Sequence, residues 1–492
     1  MNTKSLAAFA AAVIGGLGMA TSAGAATDIF MSGSSAARNI IGQTALPTCD
    51  TTQTVTHYQS VNGNLHLYQC TFAGNLVNFH YSARGSADGV YPVDDTTGGD
   101  VSKGKYLGKG FFGYIDESNP ANSGCGVAAA TAITFWDPAA NAGAGGNVTL
   151  SAASNLYKEN KTCTNPPSAV TTDWPDAATT TPGYIRRSAD FGASDVAFSS
   201  FGQSSPAGTE PANPAPNVTE NLAFVLPFNI VVQNNVRRVD SSGNDLGPLT
   251  NVTSGEVEKI LSRNARDWRQ LGAGVTAAVN PPLTSGQAMD SSVAGNAIRL
   301  CLREFGSGTK AAVNKIFMHS ATEVSTNSAN VTFYSASSSG VRDCMNDVVG
   351  TGFKGKVGYL DANETTASPS WVTTPVANVL TGGHPVTVDG YITVDATATT
   401  RNDSFKQLRC GKPQYWTVER LYNKTAGTGN ATKDSFISTF ITNAQDKNVI
   451  ENIPLNWGYE ATQELLVSKS VDAGPTTQLP FNATTYAQCE GL

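Results

Sequence analysis

A chain of 492 residues exceeds what one ordinary hydrophobic core organises, so two or more domains are expected. Charged residues make up only 14% of it and the formal net charge is −7, which argues against nucleic acid and acidic membrane surfaces as partners. A small anion stays admissible, because the few groups lining a closed cleft set the field inside it.

Residues 1–25 have the build of a secretory signal peptide. Lys4 makes the start positive, Leu6 to Leu17 is an apolar run too short to cross a bilayer, and Ala23-Gly24-Ala25 is a small-residue cleavage site. No cysteine follows that site to take a lipid anchor, and no long apolar run follows anywhere, so a periplasmic or secreted protein is expected. Eight cysteines without a Cys-x-x-Cys pair point to disulfides rather than zinc. Spacing leaves the connectivity open; nearest-neighbour pairing joins Cys49–Cys70, Cys125–Cys163, Cys301–Cys344 and Cys410–Cys489.

Past the signal, β-rich runs alternate with amphipathic stretches, which predicts an α/β fold. Thr27 to Met31 reads as a strand, Ser32-Gly33-Ser34-Ser35 as a turn, and Ala36 to Gln43 as the start of a helix with Ser as N-cap. Leu76 to Tyr81 is a second strand, ending at Gly85-Ser86. Residues 91–180 are rich in Gly, Thr, Asn, Asp and Pro and hold few periodic segments. Asp190-Phe191-Gly192-Ala193-Ser194-Asp195 reads as an acidic loop with a strand, Val196 to Ser199, after it. Residues 204–218 form a Pro-rich linker. Asn221 to Val232 is a long β-rich run broken by Pro227, which suits a crossover between domains. Thr253 to Leu261 is a helix with Val257, Ile260 and Leu261 on one face, followed by Asp267-Trp268. Ile298 to Leu302 is a buried strand leading into Arg303 and Gly306-Ser307-Gly308-Thr309, and Lys310 to Phe317 continues as helix. Lys412 to Trp416 precedes an apolar strand, and Lys433 to Asp446 is an amphipathic helix with Phe436, Phe440 and Ile441 at helical spacing. No internal repeat is visible.

Four strand-to-helix turns repeat one chemistry: Gly33-Ser34-Ser35, Gly85-Ser86, Ala193-Ser194-Asp195 and Gly306-Ser307-Gly308-Thr309. A helix start presents unpaired N–H groups and the positive end of the helix dipole, so such turns receive anions, and the hydroxyls add donors. In their order, these motifs resemble the phosphate-binding proteins of bacterial ABC importers, which are type II periplasmic binding proteins. Ser32 to Ser35 is similar to that family's first glycine loop and Tyr81-Ser82-Ala83-Arg84-Gly85-Ser86 to its second. Asp190 to Asp195 is similar to the acidic loop, Phe224 to Val232 to the interlobe crossover, and Val252 to Trp268 to the helix after it. Arg303 to Thr309 is similar to the Arg-x-x-Gly-Ser-Gly-Thr loop, and Val357-Gly358-Tyr359-Leu360 to a later strand.

The resemblance implies Ser35, Ser86, Asp195, Arg303, Ser307, Gly308 and Thr309 as ligand contacts. A buried carboxylate repels a fully deprotonated anion, so Asp195 is useful only if the ligand brings a proton for it to accept. Phosphate near neutral pH brings one and sulfate does not, while Arg303 supplies the compensating charge. The chain departs from the family at Phe305, where an acidic residue usually neighbours the arginine, at Ala36 in place of an aromatic residue, and at Arg84 beside Ser86. Ser86 and Asp195 also stand 109 residues apart, which implies an insertion built as a disulfide-pinned lid or an outward-facing subdomain.

The other polar and aromatic landmarks have plainer readings. Trp268 and Trp416 are packing residues, Arg186-Arg187 is a solvated pair, and Asp195, Ser307 and Thr309 are also ordinary capping residues. The five histidines show no metal spacing, and His384 before a proline reads as loop surface. Ser307 is not in a nucleophile elbow, and Gly98 to Lys105 lacks the spacing of a phosphate loop. No enzyme activity, cofactor or metal is therefore expected.

The implied fold is a two-lobe type II α/β fold with hinge crossovers and a large disulfide-containing insertion in lobe 1. Its divisions are a signal peptide over 1–25, lobe 1 over 26–226 with the insertion at about 91–180, lobe 2 over 227–400, and a lobe 1 return over 401–492. The implied function is capture of inorganic phosphate by an exported monomer for an inner-membrane ABC permease. The alternatives are a secreted interaction protein on the same scaffold and a phosphatase-like enzyme.

Overall fold

A computed structural model describes residues 25–492 apart from 94–111, 117–125, 128–131, 164–183, 202–216, 241–244, 272–275, 279–297, 319–331, 347–354, 367–381, 453–457, 480–488 and breaks of one or two residues. Residues 1–24 of the expected signal peptide, nearly all of the Pro-rich linker, Cys125, Arg84 and Phe305 lie outside the described residues.

A mixed sheet of 15 strands organises the α/β fold. Its centre is β1 (Thr27–Gly33), whose last five residues are buried, as expected of an interior strand covered on both faces. In the N-terminal part lie α1 (Arg38–Thr48), β2 (Val55–Ser60), β3 (Leu65–Phe72), β4 (Asn75–Ala83), β5 (Tyr157–Cys163) and β6 (Phe191–Ser194). β7 (Val218–Gln233) is followed by α2 (Ser254–Leu261), β8 (Ile298–Arg303), α3 (Gly308–Met318), β9 (Thr332–Ser335), α4 (Ser338–Asn346) and β10 (Gly355–Asp361). β11 (Gly383–Val388), β12 (Trp416–Lys424) and α5 (Ala431–Gln445) complete the framework. The strand order along the main path is β9-β8-β10-β7-β12-β6-β1-β4-β3-β2-β5, with Gly126–Val127 at the far edge.

β7 joins two groups of strands. Up to Pro227 it pairs antiparallel with β12, and from Phe228 onward with β10 and β11. The proline, which has no N–H to give to a ladder, therefore falls where the strand changes partners. On the N-terminal side, β1 runs parallel to β4 and β6. On the other side, β8 runs parallel to β9 and β10.

α5 follows its sequence pattern closely. Asn430 caps it by accepting from the N–H groups of Thr432 and Lys433, and its buried face carries Phe436, Ile437, Phe440 and Ile441. Phe436 and Phe440 pack on Phe79, and Phe440 meets Phe191 edge-on with ring centroids 5.4 Å apart. α2 begins with a capping box between Thr253 and Glu256 and buries Val257, Ile260 and Leu261, as expected. Trp268 and Trp416 are buried packing residues.

Several expectations are corrected. The acidic motif is itself a strand, β6, held between β1 and β12, whereas Val196 to Ser199 is not a strand and runs into the short 3-10 turn Phe198–Ser200. His384 is not loop surface: it lies buried on β11, bonded to Asn234 and to the Leu249 carbonyl. His57 and His66, far from scattered, meet across β2 and β3 with Nε2 and Nδ1 3.1 Å apart; burial lowers both, His66 to about 4, so the pair is neutral. The described parts of 91–180 also extend the sheets: β5 adds to β2, Ile133–Asp137 pairs with Gly146–Leu150, and Phe112–Ile115 pairs with Tyr184–Arg187.

Disulfides join Cys49–Cys70, Cys301–Cys344 and Cys410–Cys489, as nearest-neighbour pairing expects. Cys163 is disulfide-bonded too, and its expected pairing with Cys125 falls on a residue outside those described. Among the described residues no helix is long and apolar enough to cross a membrane.

Candidate functional site

β8 is buried along its whole length and delivers Arg303, 2% exposed, at its carboxyl end. The guanidinium is gripped from two directions. Nη2 donates to Ser35 Oγ at 3.1 Å and Nη1 donates to Ser338 Oγ at 2.8 Å. Ser338, the first residue of α4, passes the interaction on, donating its own hydroxyl to Asp361 Oδ2 at 2.8 Å. Asp361 closes β10 and is pushed up to about 7, first by burial and then by neighbouring Glu364. Glu364 in turn is bonded by Arg38, at the start of α1, and by Arg342 Nη1 at 2.9 Å.

The turn after β8 supplies the second half of the site. Gly306 has φ +84°, and its carbonyl accepts from Ala87 N at 3.0 Å, joining this turn to the second glycine loop. Ser307 Oγ accepts from Lys310 N at 3.3 Å and so acts as the cap of α3. A Cβ added at Gly308 would come within 2.5 Å of Ser86 Oγ and 2.8 Å of Asp195 Cβ. Thr309 Oγ1 donates to Asp195 Oδ2 at 2.8 Å, while Asp195 Oδ1, buried, has no hydrogen-bond partner.

All seven residues singled out from the sequence are buried here. The structure brings Arg303 to Ser35, Thr309 to Asp195, and Gly308 to both Ser86 and Asp195. Ser307 instead turns its hydroxyl to the cap of α3. Asp190, at the other end of the acidic motif, is not part of this group. It accepts from Phe30 N at 2.9 Å and pairs with Lys433 at 3.0 Å, so it anchors β6 to β1 and α5. The first loop shows a similar division of labour. A Cβ at Gly33, φ +129°, would lie 2.0 Å from the Ala193 carbonyl, so this glycine serves the packing of β1 on β6.

Four residues escape the sequence reading. Ser338 and Asp361 hold Arg303 in place but lie 35 and 58 positions from it in the chain. Lys310, buried, donates Nζ to the Arg303 carbonyl at 3.0 Å and adds a second positive group under the loop. Glu419, on β12, is fully buried beside Ser34 and Asp195, and burial followed by the Asp195 charge pushes its carboxyl well above the ordinary glutamate range. Asp361 directly follows the Val357-Gly358-Tyr359-Leu360 run, which was its nearest sequence signal; Glu419 had none beyond being acidic within an apolar strand.

The group therefore offers a guanidinium, serine hydroxyls and a helix start as donors, with one carboxylate oxygen as an open acceptor. That set matches a tetrahedral oxyanion bearing a proton. Among the described residues no cluster of three or more His, Cys, Asp or Glu is placed to hold a metal ion. No protein-family model matches the chain, and no curated protein matches it.

Proposed function

We propose that the chain is an exported solute-binding protein whose two lobes, arranged in the type II manner, hold inorganic phosphate between them. The observation that carries this reading is Asp195. Its Oδ2 is satisfied by Thr309, yet its buried Oδ1 has no partner although Arg303, Ser35, Ser86 and the start of α3 converge on the same place. A buried acceptor left unsatisfied costs about 1–3 kcal/mol, and a ligand that brings a proton removes that cost. Phosphate brings one; fully deprotonated sulfate does not.

Arg303, fixed by Ser338, offers charge and directed N–H donors to such a ligand. Entry exchanges the Arg303–Ser35 and Thr309–Asp195 bonds for bonds to the ligand. On this reading 26–226 and 401–492 make one lobe, 227–400 makes the other, and β7 at Pro227 is a hinge crossover. The disulfides suit an exported protein. An inner-membrane ABC permease is the expected recipient of the ligand.

Binding of radiolabelled phosphate to the wild type and to Asp195→Asn, with arsenate and sulfate as competitors, tests the proposal. The wild type is expected to bind saturably, with arsenate competing and sulfate not. Asp195→Asn is expected to bind phosphate about tenfold or more weakly and to let sulfate compete. Absence of wild-type binding at micromolar phosphate overturns the reading.

A further inference from the structure

We infer that Glu419 is a further ligand-binding residue of this site: its carboxyl, set between Ser34 and Asp195, keeps its proton and donates it to an oxygen of the bound oxyanion while Asp195 accepts from another. The inference rests on the phosphate reading given above and adds a group that no motif pointed to.

Geometry carries it. Glu419 is 0% exposed, and neither carboxyl oxygen closes a hydrogen bond of normal geometry. The groups that act on it include those of the site. The Ser34 hydroxyl belongs to the first glycine loop, Asp195 ends the acidic motif, Asp361 closes β10, and Tyr81 on β4 lies within its field. The neighbouring cation on its own strand, Arg420, is engaged elsewhere, 3.2 Å from Glu220 and 2.9 Å from Asp472. Among the described residues Glu419 forms no ion pair.

A second ionised carboxyl beside Asp195 is untenable in a site that also receives an anion, and retaining the proton resolves this. A neutral carboxylic acid has one O–H donor, so unlike a carboxylate it can face an anion favourably. A buried glutamate with a purely architectural role satisfies its O–H internally. Here Ser34 Oγ already accepts from Ala37 N and neither Glu419 oxygen closes a hydrogen bond on Asp195, so the oxygens of an incoming oxyanion are acceptors open to its O–H. Asp195 and Glu419 then form a complementary pair, one accepting the ligand's proton and one giving its own. Loss of the Glu419 proton places a like charge against ligand and Asp195 alike, so affinity falls as pH rises.

Phosphate affinity of the wild type, Glu419→Gln and Glu419→Leu between about pH 6 and pH 9 tests this. Glutamine keeps a donor but cannot ionise. The wild-type affinity relative to that of Glu419→Gln is expected to fall by about tenfold per pH unit above the titration of Glu419. The ligand's own titration cancels in that ratio. Glu419→Leu, which has no donor, is expected to bind about tenfold more weakly than the wild type near pH 6. An infrared carbonyl band of a protonated carboxyl, missing from Glu419→Gln, is expected in the ligand-free wild type and should shift when phosphate is added.

A wild type without that band, or Glu419→Leu binding phosphate as tightly as the wild type near pH 6, overturns the role of Glu419 while leaving phosphate binding intact. A wild type that shows the band yet binds no phosphate overturns the phosphate reading, and the donor role with it.

Discussion

Arg303 is held by a hydroxyl, and the carboxylate behind that hydroxyl is what gives the arrangement its direction. Asp361 accepts from Ser338, which leaves the Ser338 oxygen turned toward the guanidinium. The relay takes the place of a direct acid–guanidinium contact, and it has a cost. Asp361 titrates at about 7 in the folded chain, above the ordinary aspartate value of about 4. The folded state thus prefers the protonated form. Stability linked to this group is fully present below about pH 4 and is lost as pH rises through about 7. Asp361→Asn keeps the acceptor for Ser338 and removes the titration. Its melting temperature, followed by calorimetry from about pH 5 to pH 8.5, is expected to fall less than that of the wild type, by a few degrees at the alkaline end. Identical pH dependences contradict this account. Nothing in the chain around Ser338 announces its role, because the link among residues 303, 338 and 361 exists only once β8, α4 and β10 lie side by side.

Elements differ in how openly their sequences declare them. α5 was legible because its length, apolar spacing and capping Asn agree with one another. β6 was not, because Phe191-Gly192-Ala193-Ser194 is short, rich in small residues and shows no alternation, and it becomes a strand through the ladders that β1 and β12 provide on either side. The glycine turns were visible, but their reasons separate only in the structure. Gly33 is demanded by the contact of β1 with β6, and Gly308 by the approach of α3 to Ser86 and Asp195. Gly308→Ala places a methyl group into that approach without disturbing the helix itself. On the proposed phosphate reading it is expected to weaken binding by about tenfold or more, with the far-ultraviolet circular dichroism unchanged. Binding equal to that of the wild type rules out the close contact at this position.

At the scale of the molecule, the site draws residues from both groups of strands that β7 joins, and side chains outside the seven predicted residues link them further. Arg38 and Asn39, at the start of α1, reach Glu364 and Asn363, which follow β10. Arg38 is flanked by acidic groups that keep it charged despite its burial, since Glu364 and Asp361 both act on it. On the proposed two-lobe reading these contacts favour the closed arrangement before any ligand arrives. Arg38→Ala is therefore expected to enlarge the radius of gyration of the ligand-free protein in small-angle X-ray scattering, with phosphate restoring the wild-type value. A ligand-free variant as compact as the wild type argues against this fastening role.

A family resemblance supplied the seven residues around Arg303 and Asp195, and nearest-neighbour pairing supplied three disulfides that spacing alone left open; length, charge and local pattern by themselves determined the α/β class, the long strand broken at Pro227 and the helices α2, α3 and α5. These were legible because each rests on neighbours in the chain, on periodicity, caps, turns and short motifs. The tertiary structure alone decided that Asp190 anchors a strand while Asp195 keeps an open acceptor, that His384 is buried, and that Ser338, Asp361, Lys310 and Glu419 join the site. The physical reason is the same in every case. Burial, proton affinity and hydrogen-bond satisfaction are properties of groups brought together from distant parts of the chain, and no local pattern records which distant group will stand opposite.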